Sequence, residues 1–191
     1  MLADINDFDQ YKKDSYPCLY ASELSDPTVC LQSKKQKPQI AIWGDSHAEH
    51  LYPGIVNIDK IHSWVLFEKS ACPPLLGVEA YWKGAKDSCQ KFNDSVLAVL
   101  TEHPEIHTVY VSTLGLFYLG ESYAIEHQGK YVPNNFILRS LEKLGLTKIE
   151  TFRQGLEKTI LALQKLGKRV VLVDDIPALP FMPDTCIVRN I

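Results

Sequence analysis

Gln39-Ile40-Ala41-Ile42-Trp43-Gly44-Asp45-Ser46-His47 is the stretch on which the fold turns. Its first half is a short apolar run suited to a buried strand. Gly44-Asp45-Ser46 breaks that run. From His47 to Val56 the apolar positions Leu51, Ile55 and Val56 fall on one side of a helix, and Pro53 predicts a kink or an early end. Outward from this unit the same alternation recurs. Ser63–Phe67 reads as a second strand, and Ser70–Ser88 as a turn-rich loop holding Pro73, Pro74, Gly77 and Gly84. Phe92–Leu100 is amphipathic, and His107–Ser112 reads as a third strand. An irregular segment is expected to about Leu146. Thr151–Leu166 reads as a helix that turns Phe152, Leu156, Ile160, Leu161 and Leu163 inward and stops at Gly167. Arg169–Val173 is the fourth strand. Continuous apolar strands alternating with helices predict an α/β fold with a central parallel sheet covered on both faces. Ligands of such sheets sit beyond the carboxyl ends of the strands.

The totals narrow the classes. The 191 residues carry 46% hydrophobic and 23% charged residues and a formal net charge of −3, so one globular domain is expected. Acidic and basic residues are mixed, without the basic stripe that nucleic acid requires. No apolar run approaches the roughly 20 residues that span a bilayer. Residues 1–37 read as a loop-rich N-terminal extension, followed by one domain over 38–191. Met1-Leu2-Ala3 runs straight into acidic residues, which by itself suggests a cytoplasmic chain, although a domain of a longer secreted or membrane protein would read the same. The five cysteines point the other way. Cys18/Cys30 and Cys72/Cys89 each bracket a short loop and match no metal or redox spacing, so two local disulfides and an oxidising compartment are expected. Five reduced thiols are the alternative. Cys186 is left over, and its partner is expected beyond residue 191.

The chemistry is expected at the end of the first strand. Gly44 permits a tight turn. Ser46 lands at a helix N-terminus, where unpaired N–H groups and the dipole favour negative charge. A serine there can attack a carbonyl while its own backbone N–H holds the oxyanion. Asp45 can brace the turn. The plainer reading makes Ser46 an N-cap and Asp45 a turn former.

The run Ile-Ala-Ile-Trp-Gly-Asp-Ser-His-Ala over residues 40–48 resembles the first block of the SGNH hydrolase superfamily. It is most similar to the periplasmic SGNH domains fused to family-three membrane acyltransferases, which O-acetylate surface polysaccharides. The Ser70-Ala71-Cys72-Pro73-Pro74-Leu75 loop, the Cys89-Gln90-Lys91-Phe92-Asn93 helix start and the Val-Leu-Val-Asp-Asp-Ile-Pro run that leads to Pro183-Asp184-Thr185-Cys186 match as well. The resemblance implies a three-layer, flavodoxin-like α/β sandwich and Ser46 as nucleophile, with Asp45 and His47 shaping its turn. It implies an acyl donor and a surface-glycan acceptor as partners, a linked membrane acyltransferase domain, a periplasmic location, and neither metal nor organic cofactor. A carbohydrate O-acetylesterase or a non-catalytic glycan- or partner-binding module are the alternatives.

The chain also departs from that pattern. The family keeps its acid and base in a late Asp-x-x-His motif after a fifth strand, which is expected beyond residue 191. Asp59-Lys60-Ile61-His62 has the letters, but at the opposite end of the sheet. His103 and His107 belong at that far end too, and His50 reads as solvated. A triad of Ser46, His127 and Asp175 is a weaker possibility. Many superfamily members place an oxyanion-hole glycine after strand two and an asparagine after strand three. Lys69-Ser70-Ala71-Cys72 and Thr113-Leu114-Gly115-Leu116 stand there instead, leaving the Ser46 backbone N–H as the donor expected.

Overall fold

A computed structural model describes residues 10–25, 28–85, 89–120, 122–125 and 130–174. Four strands lie parallel: β3 (Ile40–Gly44), β4 (Trp64–Glu68), β6 (Thr108–Ser112) and β10 (Arg169–Val173). Two shorter strands, β1 (Tyr16–Pro17) and β2 (Val29–Gln32), extend the sheet antiparallel beyond β4. The six-stranded order is β1-β2-β4-β3-β6-β10. The segment read as a loop-rich extension thus supplies two strands of the main sheet and a short helix, α1 (Gln10–Asp14).

Strand alternation sends β3 side chains to both faces. Ile40 and Ile42 meet Leu66, Tyr52 and Tyr11 under α1 and α2 (Ser46–Ile58). Ala41 and Trp43 meet Val65, Phe67, Val109 and Val111 in the larger core. That core is covered by α3 (Cys89–Glu102) and α5 (Lys148–Lys165). Helices on both faces of a mostly parallel sheet make a three-layer α/β sandwich. Every residue of β3 and β4 is buried. No helix among the described residues is long and apolar enough to cross a membrane.

Four further regions differ from expectation. The turn-rich loop contains β5 (Val78–Trp82), and the irregular segment contains α4 (Gly115–Leu119), β7 (Ser122–Ile125), β8 (Lys130–Pro133) and β9 (Phe136–Ser140). β5 pairs antiparallel with β9, and β7 with β8. Both β5 and β9 alternate in burial, but neighbouring Pro and Gly residues obscured that period. Helix α2 runs through Pro53 for 13 residues. Finally, α5 buries Thr151, Gly155, Thr159 and Leu163, whereas Leu161 is exposed and Phe152 and Leu156 only flank the core. Gly155 sets this face: a Cβ there would stand 2.7 Å from Val78 and 2.8 Å from Leu75. The close approach lets Thr159 Oγ1 accept from Leu76 N–H and donate to the Pro74 carbonyl. A capping box, Thr147 with Glu150, starts α5 earlier than the apolar pattern indicated.

The structure joins Cys18 to Cys30 and Cys72 to Cys89. The second bridge ties the loop after β4 to the first residue of α3 across 17 positions. Closing a loop of that size restricts the unfolded chain by about 3 kcal/mol. Cys186 lies outside the described residues.

Candidate active site

At the carboxyl end of the parallel sheet, Gly44 lies in register with Glu68 on one side and Ser112 on the other. The strands approach so closely here that a Cβ on Gly44 would stand 1.8 Å from the Ser112 carbonyl oxygen. The next residue, Asp45, is wholly buried. It is the N-cap of α2, with extended backbone and its Oδ1 accepting from His47 N–H at 2.9 Å. Its other oxygen accepts three more hydrogen bonds: Thr113 Oγ1 at 2.7 Å, Leu114 N–H at 3.0 Å and Tyr118 OH at 2.6 Å. Asp45 therefore caps the first turn of α2 and also fastens the loop after β6 to it. Burial, reinforced by the Asp45 carboxylate, drives the Tyr118 phenol well above its usual range, so it stays a donor.

Ser46 opens α2 and is half-buried, as is His47. The Asp45 carbonyl takes Ala48 N–H at 2.9 Å and Glu49 N–H at 3.3 Å, and its side chain takes His47 N–H. Among the described residues none accepts from the Ser46 N–H, and none hydrogen-bonds its hydroxyl. The serine is thus partly open to solvent at the positive end of a 13-residue helix, its carboxylate neighbour turned inward and fully engaged. Such an arrangement suits attack on a carbonyl and retention of the oxyanion at an amide.

The loop after β4 borders this turn. Lys69 N–H donates to the Gly44 carbonyl at 3.3 Å, and Cys72 N–H to the Lys69 carbonyl at 3.0 Å. Between them Ala71 has φ 56°, a left-handed conformation that no other non-glycine among the described residues adopts. An alanine there is strained. Its backbone takes a conformation that a glycine adopts freely.

The histidines are dispersed. The rings of His47 and His50 lie 5.6 Å apart on the first turns of α2. His62 pairs with Asp59 at 2.8 Å just ahead of β4, away from Ser46. Hydrogen bonds, led by that from the His62 backbone, hold Asp59 below the usual carboxylate range. His103 and His107 precede β6, also at the far end. His127 and Asp175 lie outside the described residues. Among the described residues no group of three or more metal-ligating side chains occurs.

Sequence reasoning missed Thr113, Leu114 and Tyr118 as partners of Asp45, and it missed Glu68. The last residue of β4 is 1% exposed, yet it is a glutamate. Burial pushes its carboxyl from 4.5 up to about 7, assisted by Glu49 and Asp45 and opposed by Ser70 and Lys12. The linked stability is complete below 4.5, where folded and unfolded chains are both protonated, and is lost as pH rises to about 7. We expect Glu68→Gln to gain about 3 kcal/mol on the wild type between about pH 5 and about pH 8. Urea unfolding of both proteins at the two pH values measures the difference.

No curated protein and no solved structure matches the chain. A family model described as SGNH domain (fused to AT3 domains) matches residues 17–190, a span that holds the whole six-stranded sheet but for Tyr16, the Gly44–His47 turn and both disulfides. With its three-layer fold and the serine turn at the carboxyl end of the sheet, the chain belongs to the family of SGNH domains fused to AT3 domains.

Proposed function

We propose that this chain transfers an acyl group, in the first instance acetyl, through Ser46 to a hydroxyl of a bacterial surface polysaccharide. The carrying observation is the half-open Ser46 at the N-terminus of α2, beside an Asp45 saturated by four hydrogen bonds. Membership of a family fused to AT3 domains supports esterase or acyltransferase chemistry and a linked acyltransferase domain. The two disulfides support an extracytoplasmic, periplasmic setting.

In this reading Ser46 Oγ attacks the carbonyl carbon of the acyl donor, and a histidine takes its proton. The Ser46 N–H holds the oxyanion, the tetrahedral intermediate collapses, and the donor's leaving group departs with that proton. A glycan hydroxyl then attacks the acyl-serine by the same route and regenerates the serine. Asp45 does not serve as the acid of a triad. Its four hydrogen bonds come from the His47 backbone in the turn and from Thr113, Leu114 and Tyr118 after β6, so it acts through geometry.

Ser46→Ala in the full-length protein should lower acyl transfer by about 1,000-fold or more with folding unchanged. Mass spectrometry of the glycan checks the first and circular dichroism the second. Undiminished acetylation would remove Ser46 as nucleophile. An acyl group released to water equally with and without glycan would identify an esterase.

A further inference from the structure

We propose that Glu68 is a positioning residue of the Ser46 turn: as a protonated carboxylic acid it anchors the loop of residues 69–72 at the end of β4, and loss of its proton loosens loop and turn together. The link is short and continuous. Ser70 Oγ lies 3.0 Å from Glu68 Oε1, and Lys69 N–H holds the Gly44 carbonyl. Glu68 is itself the β-ladder neighbour of Gly44, two residues before the serine. The Glu68 side chain thus holds the loop that carries the strained Ala71, and the backbone of that loop holds the end of β3, which leads into the Ser46 turn.

The surroundings favour the neutral acid. On α2 stands Glu49, itself buried, and at the turn stands Asp45. On α1 the nearest cation, Lys12, pairs with Glu49 at 2.9 Å, and Tyr11 OH also donates to Glu49. Against them the loop after β4 presents the Ser70 hydroxyl, whose donated hydrogen bond favours the ionised form, with Lys69 next in the chain. The flanking strands place Val29 and Gly44 opposite Glu68, neither of which can ionise. An ionised Glu68 would be a third carboxylate facing Asp45 and Glu49, with Glu49 already holding Lys12. Burial leaves it no water to spread that charge. Repulsion would then act on the two carboxylates that build the first turn of α2. The titration stands on its own; its consequence for catalysis rests on the acyl-transfer reading.

The test follows the Glu68 carboxyl carbon by NMR between about pH 4 and about pH 9, together with the backbone amides of residues 44–47 and 69–72. We expect the carboxyl to titrate near neutrality, with those amides moving at the same midpoint. In Glu68→Gln, which mimics the protonated acid, they should keep their low-pH positions throughout. A Glu68 carboxyl that titrates in the ordinary carboxylate range would overturn the proposal. So would amides that move in Glu68→Gln as in the wild type, since the source would then be a group other than Glu68. If Glu68→Gln does not fold, the wild-type carboxyl titration alone decides. In the full-length protein, loss of acyl transfer above the midpoint should be relieved in Glu68→Gln. Were Ser46→Ala fully active, the catalytic reading would fall while the carboxyl titration still judged Glu68.

Discussion

Gly44→Ala should yield no stably folded protein, or one destabilised by at least about 4 kcal/mol. The reason is room rather than dihedral freedom. The new Cβ would stand 1.8 Å from the Ser112 carbonyl oxygen and 2.8 Å from Ala48 Cβ, and contacts below 3.0 Å are essentially never seen for a real Cβ. Neither obstacle is the far end of a flexible side chain. One is the backbone of β6, held against β3 by the parallel ladder, and the other is the first turn of α2. Relief requires β3 to part from β6, which opens the middle of the sheet and displaces Ser46. Chemical unfolding followed by circular dichroism gives the measure. Gly54→Ala on the same helix is the control. A Cβ there meets nothing within 4 Å, and replacing a helix-interior glycine should stabilise by about 0.5–1 kcal/mol. Equal tolerance of both substitutions would contradict the close approach described here.

Asp45→Ala should cost about 4 kcal/mol and lower the Tm by about 10 °C. It removes the helix cap and leaves Tyr118 OH, Thr113 Oγ1, Leu114 N–H and His47 N–H without their common acceptor. Tyr118 is only 2% exposed and packs against Phe136 at 4.7 Å, so water cannot readily replace the carboxylate. Asp45→Asn is the sharper probe. The two hydroxyls can turn to accept from its amide, but the two backbone N–H groups on opposite sides of the carboxylate cannot. One orientation of the amide frustrates Leu114, the other His47. A loss of about 2 kcal/mol is therefore expected even from this isosteric change. Calorimetry of the two variants checks both figures, and an Asn variant as stable as wild type would show that the N–H groups do not depend on the charge.

What the chain discloses about itself is short in range. The four parallel strands, the helix after Ser46 and the long helix before β10 can be read from apolar runs and periodicity, because a buried strand or an amphipathic helix writes its environment into consecutive residues. The Gly-Asp-Ser turn is legible for the same reason: its parts are neighbours. Even the family follows from blocks that are each local.

Other features depend on distance. The pairing of β5 with β9 joins segments separated by more than 50 positions, and β2 reaches β4 across the whole first βα unit. The inward face of α5 went to Thr151, Gly155 and Thr159 because a glycine and two small polar residues let that helix settle onto residues 74–76; hydropathy alone favours its leucines. Asp45 reads locally as a turn former, yet three of its four hydrogen bonds come from residues 68 to 73 positions away. Glu68 follows the strand read over Ser63–Phe67 and carries no local sign of burial, yet the packing of α1, α2 and the loop after β4 buries it. Hydrophobicity and backbone preference act between neighbours in the chain. Burial of a charge, its hydrogen bonds and its proton are settled by whatever the folded chain brings against it.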